Sequence, residues 1–259
     1  MSRVGIAFLL LALTAFRPGS GSAGETQVRV PRAESEHFGG ARKKRFRRIA
    51  DADYLKDSVV RIDVKRRGGE FHAGSGFIVC QDERRIFVLT AKHVLSGSGD
   101  PNPSGDSAPL AGLRKIEVSF RGGVPASIRS RPEDFAPRWA RDTDIALLVF
   151  EVESPGGLAV AKPALDARLE VGAPVRTIGY SKTSGQAWFT QDGLIRDEGE
   201  FLLFEPATDE GYSGGPVFDA GGRVIAINRS TQQGLFTAAT RIDRAFEFAN
   251  PHLPRSCRR

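Results

Sequence analysis

The segment Gly211-Tyr212-Ser213-Gly214-Gly215-Pro216 holds a serine between glycines and closes on a proline. Such a turn exposes a hydroxyl and lets backbone N–H groups converge beside it, which is how an acyl-transfer nucleophile must be presented. An alcohol is a poor nucleophile by itself, so the same chemistry requires a histidine to take the proton and a carboxylate to orient that histidine. Both candidates lie upstream. His93 ends the strand-like run Phe87-Val88-Leu89-Thr90-Ala91-Lys92, and Asp144 opens the run Ile145-Ala146-Leu147-Leu148-Val149-Phe150. Asp142 is a rival acid, because strand alternation sets it on the same side as Asp144, but only Asp144 begins the Asp-Ile-x-Leu-Leu run. His37, His72 and His252 lack such flanks and read as surface or capping histidines.

Taken together, Thr90-Ala91-Lys92-His93, Asp144-Ile145-Ala146-Leu147-Leu148 and the serine segment resemble the T-A-x-H, D-I-x-L-L and G-x-S-G-G-P signatures of the chymotrypsin-like (trypsin-like) serine peptidases. They occur in that family's chain order, and the resemblance covers roughly residues 54 to 250. Gly74-Ser75-Gly76-Phe77-Ile78-Val79 and Val224-Ile225-Ala226-Ile227-Asn228 are similar to secreted bacterial members and to the high-temperature-requirement proteases, here expected without a PDZ domain. The resemblance implies an all-β fold, two six-stranded antiparallel β-barrels with a short C-terminal α-helix. It also implies hydrolysis of protein or peptide substrates through an acyl-enzyme, without metal or organic cofactor. Ser213 is then the nucleophile, His93 the general base and later general acid, and Asp144 the group that orients the imidazole. The backbone N–H groups of Gly211 and Ser213 form the expected oxyanion hole.

Counting back from Ser213 in the family pattern puts the base of the specificity pocket at Ala207, beside Thr208. Asn228, Arg229 and Ser230 supply the substrate-pairing edge. Ala207 provides no acid for a lysine or arginine side chain, which points to a small or medium apolar residue at the cleavage site, unless Asp209 or Glu210 is rearranged into the pocket. Tyr212 departs from the zymogen-activated branch, where an aspartate at this position pairs with a new N-terminal ammonium. A phenol cannot make that ion pair, so the active site is expected to form without N-terminal insertion, despite the cleavage-like segment Arg47-Arg48-Ile49-Ala50. A weakly active or inactive peptide-binding member of the same fold is the competing reading.

These side chains need a scaffold, and the rest of the chain supplies one. With 259 residues and 40% hydrophobic composition, the chain can bury a full core. Residues 4–16 are an apolar run too short to span a bilayer, followed by Gly21-Ser22-Ala23. Residues 1–23 therefore read as a cleavable secretory signal, with an uncleaved anchor as the alternative, and the mature protein is expected to be secreted or periplasmic. Residues 24–53 form a polar, basic arm without apolar periodicity. Its cluster Arg42-Lys43-Lys44-Arg45, with Arg47 and Arg48, and the tail Arg255, Arg258 and Arg259 concentrate the net charge of +6. Such patches suit a solvated arm or contact with a polyanion or cell surface, but no interleaved aromatics support specific nucleic-acid binding.

Residues 54–154 are expected to form the first barrel and carry His93 and Asp144. Residues 155–239 form the second and carry Ser213, and residues 240–259 a helix and basic tail. In the second part Ile242, Ala245, Phe246 and Ala249 recur at helical spacing before Pro251. Cys80 and Cys257 permit one disulfide at most. The family fold packs the terminal helix on the first barrel, so either a long-range bridge or two free thiols is compatible with the sequence. No metal-ligand spacing occurs.

Overall fold

The computed structural model of the protein describes residues 53–97, 112–122, 127–130, 135, 137–153, 158–232 and 234–259. The expected secretory signal (residues 1–23), residues 24–52 of the expected basic arm with Ile49, most of the Ser/Pro/Gly-rich stretch after Gly97, and the Pro155-Gly156-Gly157 break lie outside the described residues. The described chain is mostly β, as the family resemblance implies.

The first half builds an antiparallel sheet from β1 (Val59–Arg66), β2 (Phe71–Gln81), β3 (Arg85–Thr90), β4 (Leu113–Phe120), β5 (Ser127–Ser130), β6 (Arg138–Trp139) and β7 (Ala146–Glu151). Its order is β5-β4-β1-β2-β3-β7-β6. Six longer strands match the expected number, and the two-residue β6 adds a seventh; among the described residues no ladder joins β5 to β6. β5 and β6 lie in the Pro-interrupted stretch, where periodicity gives no strand signal. The sheet nevertheless curls around one core, because Val60, Ile62, Ile78, Val88, Val118 and Leu148 pack together, with Ile128 and Trp139 against them.

The central strands are apolar on both faces, and period two explains the division. Ile86 and Val88 of β3 enter the first core, whereas Phe87 and Leu89 face the second half of the molecule. In β2 a register shift between Ile78 and Cys80 puts Val79 and Cys80 together on that second face.

The second half is a closed antiparallel barrel of β8 (Pro174–Ser181), β9 (Gln186–Glu198), β10 (Leu202–Glu205), β11 (Pro216–Phe218), β12 (Val224–Gln232) and β13 (Phe236–Arg241). Pairing of β9 with β10 closes it, and Val175, Ile195, Leu202, Phe204, Val217 and Ile225 fill it. Between the two halves lies a shared cluster including Val59, Phe77, Leu89, Leu147, Ile178 and Ile227.

Among the described residues two short α-helices accompany the sheets: α1 (Lys92–Ser96) directly after β3, and α2 (Ile242–Ala249) directly after β13. α2 buries the expected stripe Ile242, Ala245, Phe246 and Ala249 against the shared cluster, and Pro251 sits in the 3-10 turn that follows. Cys257 then bonds Cys80 of β2, with Cα atoms 5.8 Å apart across 177 residues of sequence. The bridge, one of the two states the sequence allowed, ties the C-terminal tail to the first sheet. Among the described residues no helix is long and apolar enough to cross a membrane.

Candidate active site

The segment Asp144-Ile145 is not yet strand, since β7 begins at Ala146. The alternation that made Asp142 a rival therefore does not apply. Asp142 is exposed, and Asp144 is buried. Its burial is stabilised by the N-terminus of α1. Ala91, the N-cap of that helix, offers no side-chain acceptor, leaving first-turn N–H groups without partners of their own. Asp144 Oδ1 accepts the backbone N–H of His93 at 2.9 Å. Its other oxygen, Oδ2, lies 2.6 Å from His93 Nδ1. One carboxylate thus caps the helix and sets the ring on it. His93 is inside the helix rather than ahead of it, because the turn begins at Lys92.

Lys92 carries a second constraint that motif reading missed. Its side chain is buried, and Nζ donates to the carbonyls of Ala140 at 3.2 Å and Arg141 at 3.3 Å. Those carbonyls belong to the bend that delivers Asp144. A lysine one residue before a histidine gives no sequence signal for this role, since lysine is ordinarily exposed.

The Ser213 turn is held by backbone. Gly214 N–H donates to Asn228 O at 2.8 Å, Gly215 N–H to Tyr212 O at 2.8 Å, and Ser75 N–H to Ser213 O at 2.8 Å. Gly214 has φ +81°, and a Cβ there would fall 2.2 Å from Thr90 Oγ1 and 2.3 Å from Ser75 O, so no other residue fits. Ser75 Oγ donates to Gly211 O at 2.7 Å and accepts Tyr180 N–H at 2.8 Å. This buried serine of the Gly-Ser-Gly run ties β2 of the first half to the Ser213 turn of the second.

Two peptide groups in the turn have their carbonyls bonded and their N–H groups free of backbone partners among the described residues. Glu210 O accepts Lys182 N–H at 2.9 Å, and Tyr212 O accepts Gly215 N–H at 2.8 Å. In a trans peptide the N–H points opposite to its carbonyl, so the Gly211 and Ser213 N–H groups are turned away from these bonds. Among the described residues neither donates to another backbone group. Tyr212 itself is buried, and its hydroxyl has no hydrogen-bond partner among the described residues. Burial, with the Asp209 carboxylate adding to it, pushes that phenol well above its ordinary range.

A cleft of about 440 Å³ opens over these groups, lined by His93, Gly211, Ser213, Thr208, Asn228, Arg229 and Ser230. Ser213 Oγ donates to the Arg229 carbonyl at 3.3 Å, so in this state its hydrogen bond goes to β12 rather than to His93. Ala207 is not among the lining residues. Thr208 takes the wall position, with its carbonyl accepting Thr231 Oγ1 at 2.8 Å and its backbone N–H donating to Thr237 Oγ1 at 2.7 Å. The Ala207 carbonyl accepts Gln191 Nε2 at 3.0 Å. His72 lines the cleft with a buried Nε2 lacking a partner among the described residues; it is no plain surface histidine. The Arg229 side chain is mostly buried, stacked on Phe201 with its guanidinium carbon 4.4 Å from the ring centre, and Nε is 3.9 Å from Asp144 Oδ2.

A curled sheet beside a closed barrel, with serine, histidine and aspartate gathered at their seam, defines the trypsin-like class of folds. The family profile of the trypsin-like peptidase domain matches residues 74–227, and the chain belongs to that family. The chain is similar to HhoA of Synechocystis sp., named as a serine protease, with 28% identity over 166 residues, 60% of this chain and 36% of that protein. It is similar too to a DegP-like periplasmic serine endoprotease of Marinomonas sp., with 29% identity over 170 residues, 63% of this chain and 30% of that one. The chain thus spans about a third of the length of these relatives. In fold it matches an HtrA-type protease, AlgW with tripeptide, at TM-score 0.55 and 22% identity, over 74% of this chain and 58% of that one.

Proposed function

We propose that the protein is an exported serine endopeptidase with Ser213, His93 and Asp144 as its catalytic triad. Ser213 Oγ attacks the scissile carbonyl carbon while His93 Nε2 takes its proton. The C–N bond then breaks as that proton passes to the leaving amine, and water hydrolyses the acyl-enzyme with His93 again as base. Asp144 holds the imidazole tautomer that leaves Nε2 free to accept. The charge developing on the carbonyl oxygen meets the Gly211 and Ser213 N–H groups. The observation that carries this reading is the 2.6 Å His93–Asp144 pair, oriented by a second carboxylate bond and facing the cleft that Ser213 lines.

Thr208, Asn228, Arg229 and Ser230 contact the substrate. Asp209 is engaged by Ser181 and Thr183, and Glu210 is paired with Lys182. These bonds hold both acids against rearrangement into the counted base position, Ala207, which supports a preference for small or medium apolar residues. A peptide library giving strict Lys or Arg preference contradicts this. The buried Tyr212 supports activity without N-terminal insertion, so replacing Ile49 leaves hydrolysis intact, as does deleting residues 24–50. Deletion of that arm abolishes surface retention only if the arm is a polyanion contact. The apolar run at residues 4–16 and the periplasmic relative support export.

The bond from Ser213 Oγ to Arg229 O favours one competing reading, a weakly active or inactive peptide-binding member. A fluorophosphonate probe separates them. Wild type is labelled and Ser213→Ala is not, whereas an unlabelled wild type that still binds peptide overturns the peptidase reading.

A further inference from the structure

The inference below rests on the peptidase reading and concerns what holds its oxyanion hole ready. The Glu210–Gly211 peptide group is anchored at its oxygen by a single backbone bond, from Lys182 N–H at 2.9 Å. Lys182 belongs to the tight hairpin between β8 and β9, whose residues 182–186 are exposed. An exposed hairpin tip is a poor anchor unless something fixes it.

Asp209 is what fixes it. Its Oδ2 accepts Ser181 Oγ at 2.6 Å and Thr183 N–H at 2.8 Å, and its Oδ1 accepts Thr183 Oγ1 at 2.9 Å. These bonds bracket Lys182 on both sides. The residue that lines the cleft directly before Glu210 thereby holds the donor that sets the Glu210–Gly211 peptide. Burial alone raises the Asp209 carboxyl, but the Ser181 hydroxyl and the Thr183 N–H and hydroxyl outweigh it and hold the group below its ordinary value. It is a carboxylate at neutral pH, an acceptor for every one of these donors. The neighbouring charges are Lys182 and Glu210, paired with each other, and the buried phenol of Tyr212 beside them is neutral. With both its oxygens engaged, Asp209 is held to the hairpin.

We propose that Asp209 is a positioning residue, which through the β8–β9 hairpin keeps the Gly211 N–H aimed at the oxyanion. Without the carboxylate, Lys182 N–H no longer holds Glu210 O firmly, and the peptide group turns. Gly211, at φ +98°, has the freedom to let it do so. The cleft still binds peptide but stabilises the tetrahedral intermediate with one donor for part of the time. Full loss of one such donor lowers kcat by about 10²–10³-fold. A donor populated only fractionally lowers it by less, about 10–100-fold.

The test compares wild type with Asp209→Ala, Asp209→Asn and Thr183→Ala on a peptide the wild type cleaves, at a temperature where all remain folded. Asp209→Ala is expected to lower kcat about 10–100-fold with KM within about twofold. Affinity for a peptide boronate, which places a hydroxyl in the oxyanion hole, falls in parallel. Asp209→Asn keeps one acceptor oxygen and lies between, and Thr183→Ala, outside the cleft lining, gives the same pattern at smaller size. In hydrogen–deuterium exchange, the Lys182 amide of Asp209→Ala exchanges faster than that of wild type. A raised KM at unchanged kcat makes Asp209 a substrate contact and overturns the proposal, as does unchanged Lys182 exchange. A wild type that neither hydrolyses peptide nor takes the fluorophosphonate sinks the peptidase reading alone, and exchange at Lys182 then still decides whether the clamp exists. If the Asp209 variants do not fold, Thr183→Ala carries the same comparison.

Discussion

The two halves of the molecule hold their shares of the site by different means. In the first, open sheet, side chains do the positioning: Asp144 caps α1 and sets His93, and Lys92 holds the bend that delivers Asp144. In the second, closed barrel, backbone does most of it: the Ser213 turn is pinned mainly through carbonyls and amides, with the Ser75 hydroxyl on Gly211 O and glycine where no Cβ fits. A side-chain anchor is replaceable by another of like shape and charge. A turn packed atom to atom against a neighbouring strand tolerates only what leaves that contact intact. The first half therefore fails by loss of orientation, and the second by loss of the turn itself.

Substitutions that act on one half alone break or sharpen this contrast. The largest effect is expected for Asp144→Ala, which removes both the cap and the ring's partner. On the peptidase reading kcat falls by about 10⁴-fold, with a modest fall in melting temperature from the lost cap. Steady-state hydrolysis with a thermal melt checks both. Retention of full activity shows that the His93–Asp144 contact does no orienting.

Cys257→Ser comes next. It opens a bridge across 177 residues and is expected to lower stability by about 2–5 kcal/mol, measured by urea unfolding. Turnover below the melting temperature stays near wild type, because neither cysteine lines the cleft. Gly214→Ala has to move Thr90 or β2 and adopt a strained φ. Overpacking of this kind lowers stability by about 1–3 kcal/mol. Unlike Cys257→Ser, it also suppresses fluorophosphonate labelling. Equal labelling in the two variants refutes the view that the turn tolerates no Cβ.

The smallest effect is acid sensitivity. Asp209 and Asp243 are held below the ordinary carboxylate value because bonds from Ser181 and Thr183, and from Arg241 and Arg244, exceed the opposing effect of burial. A depressed folded-state value means that their stabilising contribution is complete above about pH 3.9 and is lost as pH falls through the folded value. Asp209→Asn therefore lowers stability modestly at neutral pH and flattens the pH dependence of urea unfolding below about pH 4.

Much of this was legible in the chain. Unbroken apolar runs such as Ile145 to Phe150 marked strands buried on both faces, and the stripe from Ile242 to Ala249 marked a helix that packs where it does. The serine turn announced itself because a positive φ and a crowded backbone leave glycine little competition. Other features had no signal. β5 and β6 are strands only because neighbouring strands pair with them. Asp142 and Asp144 were equivalent by spacing, and only the bend before β7 buries one and exposes the other. Ala207 was placed by counting, and in the fold it is Thr208, the next residue, that lines the cleft.

By itself the amino-acid order determined which residue types were available for chemistry and in which local conformations, since turn geometry and strand periodicity are properties of neighbours along the chain. Tertiary structure alone decided which distant groups meet. The Cys80–Cys257 bond, Lys92 beneath Ala140, Ser75 under the Ser213 turn and Asp209 on the β8–β9 hairpin all join elements that pack together only once both sheets have formed. Hydrogen bonds and disulfides depend on distances in space, which separation along the chain does not specify.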